Sequence, residues 1–163
     1  MNKFWLLAGI LLSGCVGVYQ QPSTSQSHAI LISEFSENDL TQGGAQLFYA
    51  YDNENCQANY GAAMTALKNT ERRKTTRIPS NNIIYIQAAT TGITEKLYAC
   101  STGFCLQSEK CTSLISFTPQ QGETYIIKHN YKNKACSISL TNKITNEIPK
   151  SIKAHSIKSS CEI

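Results

Sequence analysis

Cysteine is the residue type whose number and spacing carry the clearest chemistry in this chain. Seven of the 163 residues are cysteines, and Cys15 stands apart near the N-terminus. The other six, in an exported domain, predict three disulfides whose pairing the sequence leaves open. We expect one short stapled loop and a bridge from Cys161 that pins the C-terminal tail, with Cys56 or Cys161 joined back to the sheet. The six are Cys56, Cys100, Cys105, Cys111, Cys136 and Cys161.

The clustered cysteines do not have the spacing of a metal or redox site. Zinc ribbons and thiol–disulfide active sites use pairs of cysteines separated by two residues. Here Cys100, Cys105 and Cys111 are separated by four and then five residues. An oxidising compartment would also convert such thiols to disulfides. We therefore predict no bound metal and no cofactor.

The histidines and serines form no local catalytic motif. His28, His129 and His155 lie far apart, and neither G-x-S-x-G nor H-E-x-x-H occurs in the chain. Alternation along the strand predicted around His129 places this residue on one face with Tyr125 and Ile127, which is typical of a packed or surface histidine rather than a ligand. We predict a protein that is not an enzyme, although a Ser–His–acid triad built from distant residues stays open.

The remaining sequence predicts the elements that position these residues. Residues 28–163 suit one domain, in which β-branched and aromatic runs alternate with turn residues. This pattern predicts a mainly β fold: an antiparallel β-sandwich or small barrel, braced by disulfides, with at most one short helix. Residues 58–68 are expected to be that helix or an irregular loop. Strands are predicted over residues 29–35, 45–51, 82–89, 95–100, 112–118, 124–130 and 135–140, with a turn at 119–122 and an edge strand within 151–157.

The first 15 residues have the layout of an export signal. Lys3 supplies a positive charge, and residues 4–11 form an apolar stretch that is too short to span a bilayer. The motif Leu12-Ser13-Gly14-Cys15 resembles the lipobox of bacterial lipoproteins. That family implies removal of residues 1–14 and acylation of the Cys15 thiol and of the new amino group. The polar residues 15–27 are predicted to be a flexible tether.

The lipoprotein resemblance also implies a location. In enterobacteria-like lipoproteins, Asp after the lipidated cysteine directs retention in the inner membrane, whereas this chain has Val16. The resemblance therefore implies a lipid anchor in the outer membrane and a domain that faces the periplasm. The sequence leaves open whether the domain is displayed on the cell surface.

The charged residues are moderately basic in balance and unevenly distributed. Loss of Lys3 leaves 14 basic and 11 acidic side chains, a net charge of +3, which is too low for a dedicated nucleic-acid-binding protein. The densest basic run is either a set of solvated loops or a surface for an acidic partner, anionic lipid or wall carboxylates. Its cations are Lys68, Arg72, Arg73, Lys74 and Arg77.

A second resemblance lies toward the C-terminus. Phe117-Thr118-Pro119, Gly122 and Tyr125, followed by Cys136, are similar to the C-terminal part of small, uncharacterised, β-rich lipoproteins of the proteobacterial periplasm. The pattern implies a strand, a turn and a strand, and it implies no catalytic residue. We expect a domain that binds another envelope component, as an accessory of an envelope or secretion machine. The alternative is an immunity-like or lysozyme-inhibitor-like protein of the periplasm.

Overall fold

The computed structural model describes residues 17–36, 42–58, 62–101, 103–133 and 135–162, without the side chains of residues 42–43, 93–100 and 103–108. The lipobox-like motif, with Cys15, lies outside the described residues. Within these ranges the secondary structure is almost entirely β. The elements are β1 (His28–Glu34), β2 (Gln42–Tyr51), β3 (Ala63–Leu67), β4 (Arg73–Pro79), β5 (Ile84–Cys100), β6 (Gly103–Phe117), β7 (Thr124–Lys132), β8 (Ala135–Asn142), β9 (Lys153–His155) and a 3-10 turn (Ser159–Cys161).

The strands form two sheets that pack face to face as a β-sandwich. A four-stranded sheet has the order β4-β1-β7-β8, and a five-stranded sheet has the order β3-β2-β5-β6-β9. Neighbouring strands are antiparallel except β1 and β7, which run parallel and are connected through β2 to β6 instead of by a tight turn. The prediction of a mainly β, disulfide-braced sandwich with at most one short helix is confirmed.

The core lies between the sheets and follows the alternation of each strand. In β7 the side chains of Tyr125 and Ile127 are buried, whereas Lys128 between Ile127 and His129 is exposed. Removing the inward apolar faces from water supplies most of the driving force for folding. The largest core side chains from the two sheets are Leu31, Phe48, Leu67, Ile78, Ile86, Phe117, Ile127 and Leu140.

Two disulfides join elements that are distant in sequence. Cys56, in the loop after β2, is bonded to Cys161 in the C-terminal 3-10 turn, with their Cα atoms 5.2 Å apart. Cys111 of β6 is bonded to Cys136 of β8, with Cα atoms 5.7 Å apart, which ties the two sheets together. The expectation that Cys161 pins the tail is confirmed. The side chains of Cys100 and Cys105 lie outside the described residues.

Three predictions about the strands are wrong. The described part of residues 58–68 contains strand β3 rather than a helix or irregular loop, because its backbone pairs with β2. The strands predicted over residues 82–89 and 95–100 are not separate, since both fall mainly within β5, which pairs with β6 as one long hairpin. Part of the basic run, weighed as solvated loops, forms strand β4. In each case pairing with a neighbouring strand outweighs the local sequence signal.

The loops at one end of the sandwich are linked by backbone hydrogen bonds. The N–H of Asn81, in the turn between β4 and β5, donates to the carbonyl of Pro119 at 2.8 Å. The N–H of Gly122, in the predicted turn before β7, donates to the carbonyl of His28 at 3.0 Å. We call this end the basal pole. The distal pole is the opposite end, where β3 passes into β4 and β5 into β6.

Residues 17–27 lie against the basal pole. The carbonyl of Gly17 accepts hydrogen bonds from the N–H groups of Ala62 and Ala63, at 2.9 and 3.1 Å. The Arg77 side chain donates from Nε to the carbonyl of Pro22 at 2.8 Å. The prediction of a flexible tether over residues 15–27 is therefore wrong for residues 17–27, which are bonded to the domain. The edge strands β3 and β4 offer backbone groups without a sheet partner, and this segment satisfies some of them.

Candidate functional site

The predicted basic run is divided between the two poles by the direction of β4. Lys68 and Glu71 bond to each other through their backbones, at 3.0 and 3.2 Å, in the turn before β4. Arg72, Arg73 and Lys74 follow at the distal pole, whereas Arg77 lies four residues beyond Arg73 along β4, roughly 13 Å away. Four of the five predicted cations therefore belong to the distal pole, although Lys74 lies on the opposite face of β4 from Arg73, in a cleft that Tyr49 and Met64 also line. Arg77 belongs to the basal pole, where it holds the N-terminal segment.

The cations at the distal pole are positioned by specific neighbours. The guanidinium of Arg72 lies 5.3 Å from the centre of the Phe35 ring, which is a cation–π geometry. The carboxylate of Glu34 lies 3.5 Å from Arg73 Nε and 3.0 Å from Lys128 Nζ. Sequence reasoning missed Lys128 because only the parallel pairing of β1 and β7 brings it near. We call the following five residues the distal cluster: Lys68, Arg72, Arg73, Lys74 and Lys128.

His129 lies at the centre of a buried polar network between the sheets. Its side chain is fully buried, with Nδ1 2.7 Å from Thr90 Oγ1 and Nε2 3.1 Å from Ser113 Oγ. The side-chain amide of Gln46 donates to the His129 carbonyl at 2.8 Å. Burial lowers the pKa of His129 to about 4. Of the packed and surface positions predicted for His129, the structure shows the packed one. A ring with so low a pKa is a poor base for catalysis at neutral pH.

A second histidine meets a serine and a carboxylate on the outer face of the five-stranded sheet. His155 of β9 has Nε2 2.8 Å from Ser116 Oγ, and its Nδ1 lies 3.9 Å from Glu54. The sequence offered no signal for this group, since its members come from three separate segments. The same residue types in the same order build serine-hydrolase triads.

The geometry of this Ser–His–Glu group argues for a structural role. Ser116 is buried, which leaves little of its surface accessible to a substrate. The separation between His155 and Glu54 is too long for a hydrogen bond. Glu54 is instead bound by Lys158 at 2.5 Å, and this bond lowers the pKa of the Glu54 carboxyl. The group fastens the C-terminal tail across the sheet, beside the Cys56–Cys161 disulfide.

An open groove of about 610 Å³ lies at the basal pole between the N-terminal segment and the turn after β4. Its described walls contain Tyr19, Tyr51, Asp52 and several side-chain amides, and none of these described lining residues is Lys or Arg. The Tyr19 hydroxyl is buried without a hydrogen-bond partner, and burial, followed by the charge of Asp52, raises its pKa to about 12. Such walls suit a small, neutral, polar ligand better than an anion.

Comparisons with known proteins give no identity. No protein-family model, curated protein or solved structure matches this chain. Within the part of the chain that the structure describes, no three His, Cys, Asp or Glu side chains are grouped to hold a metal ion. The same part contains no helix long and apolar enough to cross a bilayer.

Proposed function

We propose that this chain is a lipoprotein of the bacterial outer membrane whose β-sandwich binds another envelope component without catalysing a reaction. Cys15 carries the lipid, and the distal cluster contacts the partner. The observation that supports this proposal is the position of the distal cluster, at the end of the sandwich opposite to residues 17–27. An anchor that precedes this segment leaves the distal pole directed away from the membrane.

The charges at the distal pole favour an acidic partner. The five cations of the distal cluster are accompanied by the carboxylates Glu34 and Glu71, so positive charge is in excess. Complementary charge accelerates encounter and fixes orientation more than it adds affinity. We infer that the partner is an envelope protein with an acidic face, and that the domain serves as an accessory of an envelope or secretion machine.

A second candidate function is favoured by the β5–β6 hairpin. Its pairing continues to Cys100 and Gly103 at the distal end, whereas the described pairing of β2 with β5 ends at Ile93. The hairpin therefore extends beyond its neighbours as a two-stranded arm. An arm of this kind can enter the cleft of an enzyme, which suits an immunity-like or lysozyme-inhibitor-like protein of the periplasm.

The proposal is tested by cross-linking in cells, followed by affinity purification of the tagged protein and mass spectrometry of captured proteins. The Cys15→Ala variant serves as the unanchored control. We expect one dominant protein, whose identity separates a machine subunit from a wall hydrolase. Capture of bulk envelope proteins alone, in equal amounts with Cys15→Ala, would contradict partner binding.

Matched charge reversals locate the binding surface. Lys74→Glu changes an exposed cation of the distal cluster, and Lys153→Glu makes the same change at an exposed position in β9. We expect Lys74→Glu to reduce capture of the partner by about tenfold, equivalent to about 1.4 kcal/mol of binding free energy. Lys153→Glu should leave capture unchanged. Equal losses in both variants would show that net charge, and not the distal cluster, governs binding.

A further inference from the structure

Four of the five large aliphatic side chains that are exposed among the described residues lie at the basal pole; the fifth, Ile157 after β9, is 36% exposed. Single exposed aliphatic residues are ordinary on a protein surface, but several at one end of a domain indicate a contact surface. Ile144 is 80% exposed and Ile148 is 65% exposed. Val18 and Ile83 are 78% and 60% exposed. Three separate segments therefore each present an aliphatic side chain to solvent.

The backbone hydrogen bonds place these segments at the same end of the sandwich. Val18 is bridged to Ala63 at the start of β3. Ile83 ends the turn whose Asn81 N–H donates to Pro119. The loop that contains Ile144 and Ile148 is held to the same pole at both ends. At its start Lys143 donates to Thr124, and at its end the Ser151 hydroxyl accepts from Thr118.

The loop between β8 and β9 also has the charge pattern of a surface that meets anionic lipid. Lys143 directly precedes Ile144, and Lys150 follows Ile148 by two residues; both lysines are exposed. Glu147 is the acidic residue between them. Lysines beside inserted apolar side chains reach the headgroups while the apolar groups enter the interface.

The position of the anchor indicates that the bilayer lies against this surface. Gly17 is bonded to β3 at the basal pole, and Cys15 precedes it by only two residues, a reach of at most about 7 Å. A lipid on Cys15 therefore holds the basal pole close to the bilayer. This step rests on the proposed function, whereas the position of the aliphatic side chains at one end of the sandwich does not.

We propose that the basal pole is a membrane-contact surface, at which Val18, Ile83, Ile144 and Ile148 enter the lipid headgroup region and Lys143 and Lys150 bind anionic headgroups. The domain then stands upright on the membrane with the distal cluster outermost. Orientation is set by the docked segment 17–27 and the loop tips, so the domain has no free tether.

Tryptophan fluorescence tests this orientation directly. The one tryptophan of the chain, Trp5, lies in the predicted signal peptide. A tryptophan introduced into the mature protein is therefore the only source of tryptophan fluorescence. Ile148→Trp and Ile144→Trp place it at the basal pole, and Lys132→Trp places it at the exposed distal end of β7. Each lipidated protein is reconstituted in vesicles of phosphatidylethanolamine and phosphatidylglycerol, with and without brominated acyl chains.

We expect bromine to quench the two basal variants severalfold more strongly than Lys132→Trp, with a blue-shifted emission. The mass of the N-terminal peptide is measured on the same samples. Equal quenching at both poles, or none at the basal pole, in protein whose peptide carries lipid would overturn the contact surface and leave the lipoprotein assignment intact. A blue shift that grows with protein concentration without lipid would indicate self-association and would also overturn it.

If the peptide carries no lipid, the proposed function fails, and the unlipidated variants mixed with the same vesicles decide the contact surface alone. Quenching of Ile148→Trp and Ile144→Trp then supports it, and absence of quenching overturns it. Because both isoleucines are exposed, neither substitution disturbs the core, and a circular dichroism spectrum confirms the fold.

Discussion

Acid should destabilise this protein through one buried histidine. His129 is fully buried against Thr90, Ser113 and the Cys111–Cys136 disulfide, and burial lowers its pKa from 6.5 to about 4. The unfolded chain takes up a proton near pH 6.5, whereas the native ring stays neutral until about pH 4. The native state is therefore favoured fully above pH 6.5, and this contribution falls as the pH drops from 6.5 toward 4 and then levels off.

The size of the effect follows from the difference between the two pKa values. Linkage gives a loss of about 2 kcal/mol by pH 5 and about 3 kcal/mol by pH 4, relative to pH 7.5. Carboxylates titrate in the same range, so their contribution must be subtracted. The His129→Gln variant provides the subtraction, because glutamine can hydrogen-bond to the same hydroxyls and does not titrate.

Urea unfolding of the wild type and of His129→Gln at pH 7.5, 5 and 4 measures the free energy of unfolding of each. We expect the difference in free energy of unfolding, wild type minus His129→Gln, to fall by about 3 kcal/mol between pH 7.5 and pH 4. A difference that stays constant over this range would refute the reasoning. So would an NMR titration of the native imidazole with a midpoint near 6.5.

Three further predictions concern stability. Phe48→Ala removes a fully buried core ring and should lower the free energy of unfolding by about 3–5 kcal/mol. Ile144→Ala changes an exposed position and should alter this free energy little. Similar losses of stability in the two variants would place Phe48 outside the core. Removing the Cys56–Cys161 bridge with the double variant Cys56→Ser/Cys161→Ser opens a loop of 105 residues, which should cost about 4–5 kcal/mol and accelerate amide exchange in β9 first. Uniform acceleration across both sheets would speak against a pinned tail. Gly122 has a φ of 76° and open space where a Cβ would lie. Gly122→Ala should therefore lower the free energy of unfolding by about 1 kcal/mol through backbone strain alone, and Gly122→Asn should lower it less, because Asn adopts this backbone conformation more readily. An unchanged melting temperature for Gly122→Ala would contradict this.

The sandwich was predictable because its signals are local and periodic. Alternation in β7 correctly places Tyr125 and Ile127 in the core, and the residues around Gly122 correctly predict the turn before it. The tail disulfide followed from the even number of cysteines and the position of Cys161. Each of these features can be inferred from residues that are close in sequence or from the number of cysteines.

The features that the sequence did not reveal depend on contacts between distant segments. Strand β3 forms because β2 offers a pairing edge, although Ala-rich residues 62–67 have fair helix propensity. Lys128 joins the distal cluster only through the parallel pairing of β1 and β7. The docking of residues 17–27 uses the backbone N–H groups of Ala63 in β3 and Arg77 in β4, which donate to Gly17 and Gln21. The local sequence of residues 17–27 gives no sign of these contacts.

The covalent state of Cys15 is the premise on which the anchored, two-pole account depends. Mass spectrometry of the N-terminal peptide, from protein purified out of the outer-membrane fraction, measures it directly. The account predicts a peptide that begins at Cys15 and carries a diacylglyceryl group on the thiol and an acyl chain on the amino group. A peptide that begins elsewhere, or that begins at Cys15 with a free thiol and a free amine, would contradict it.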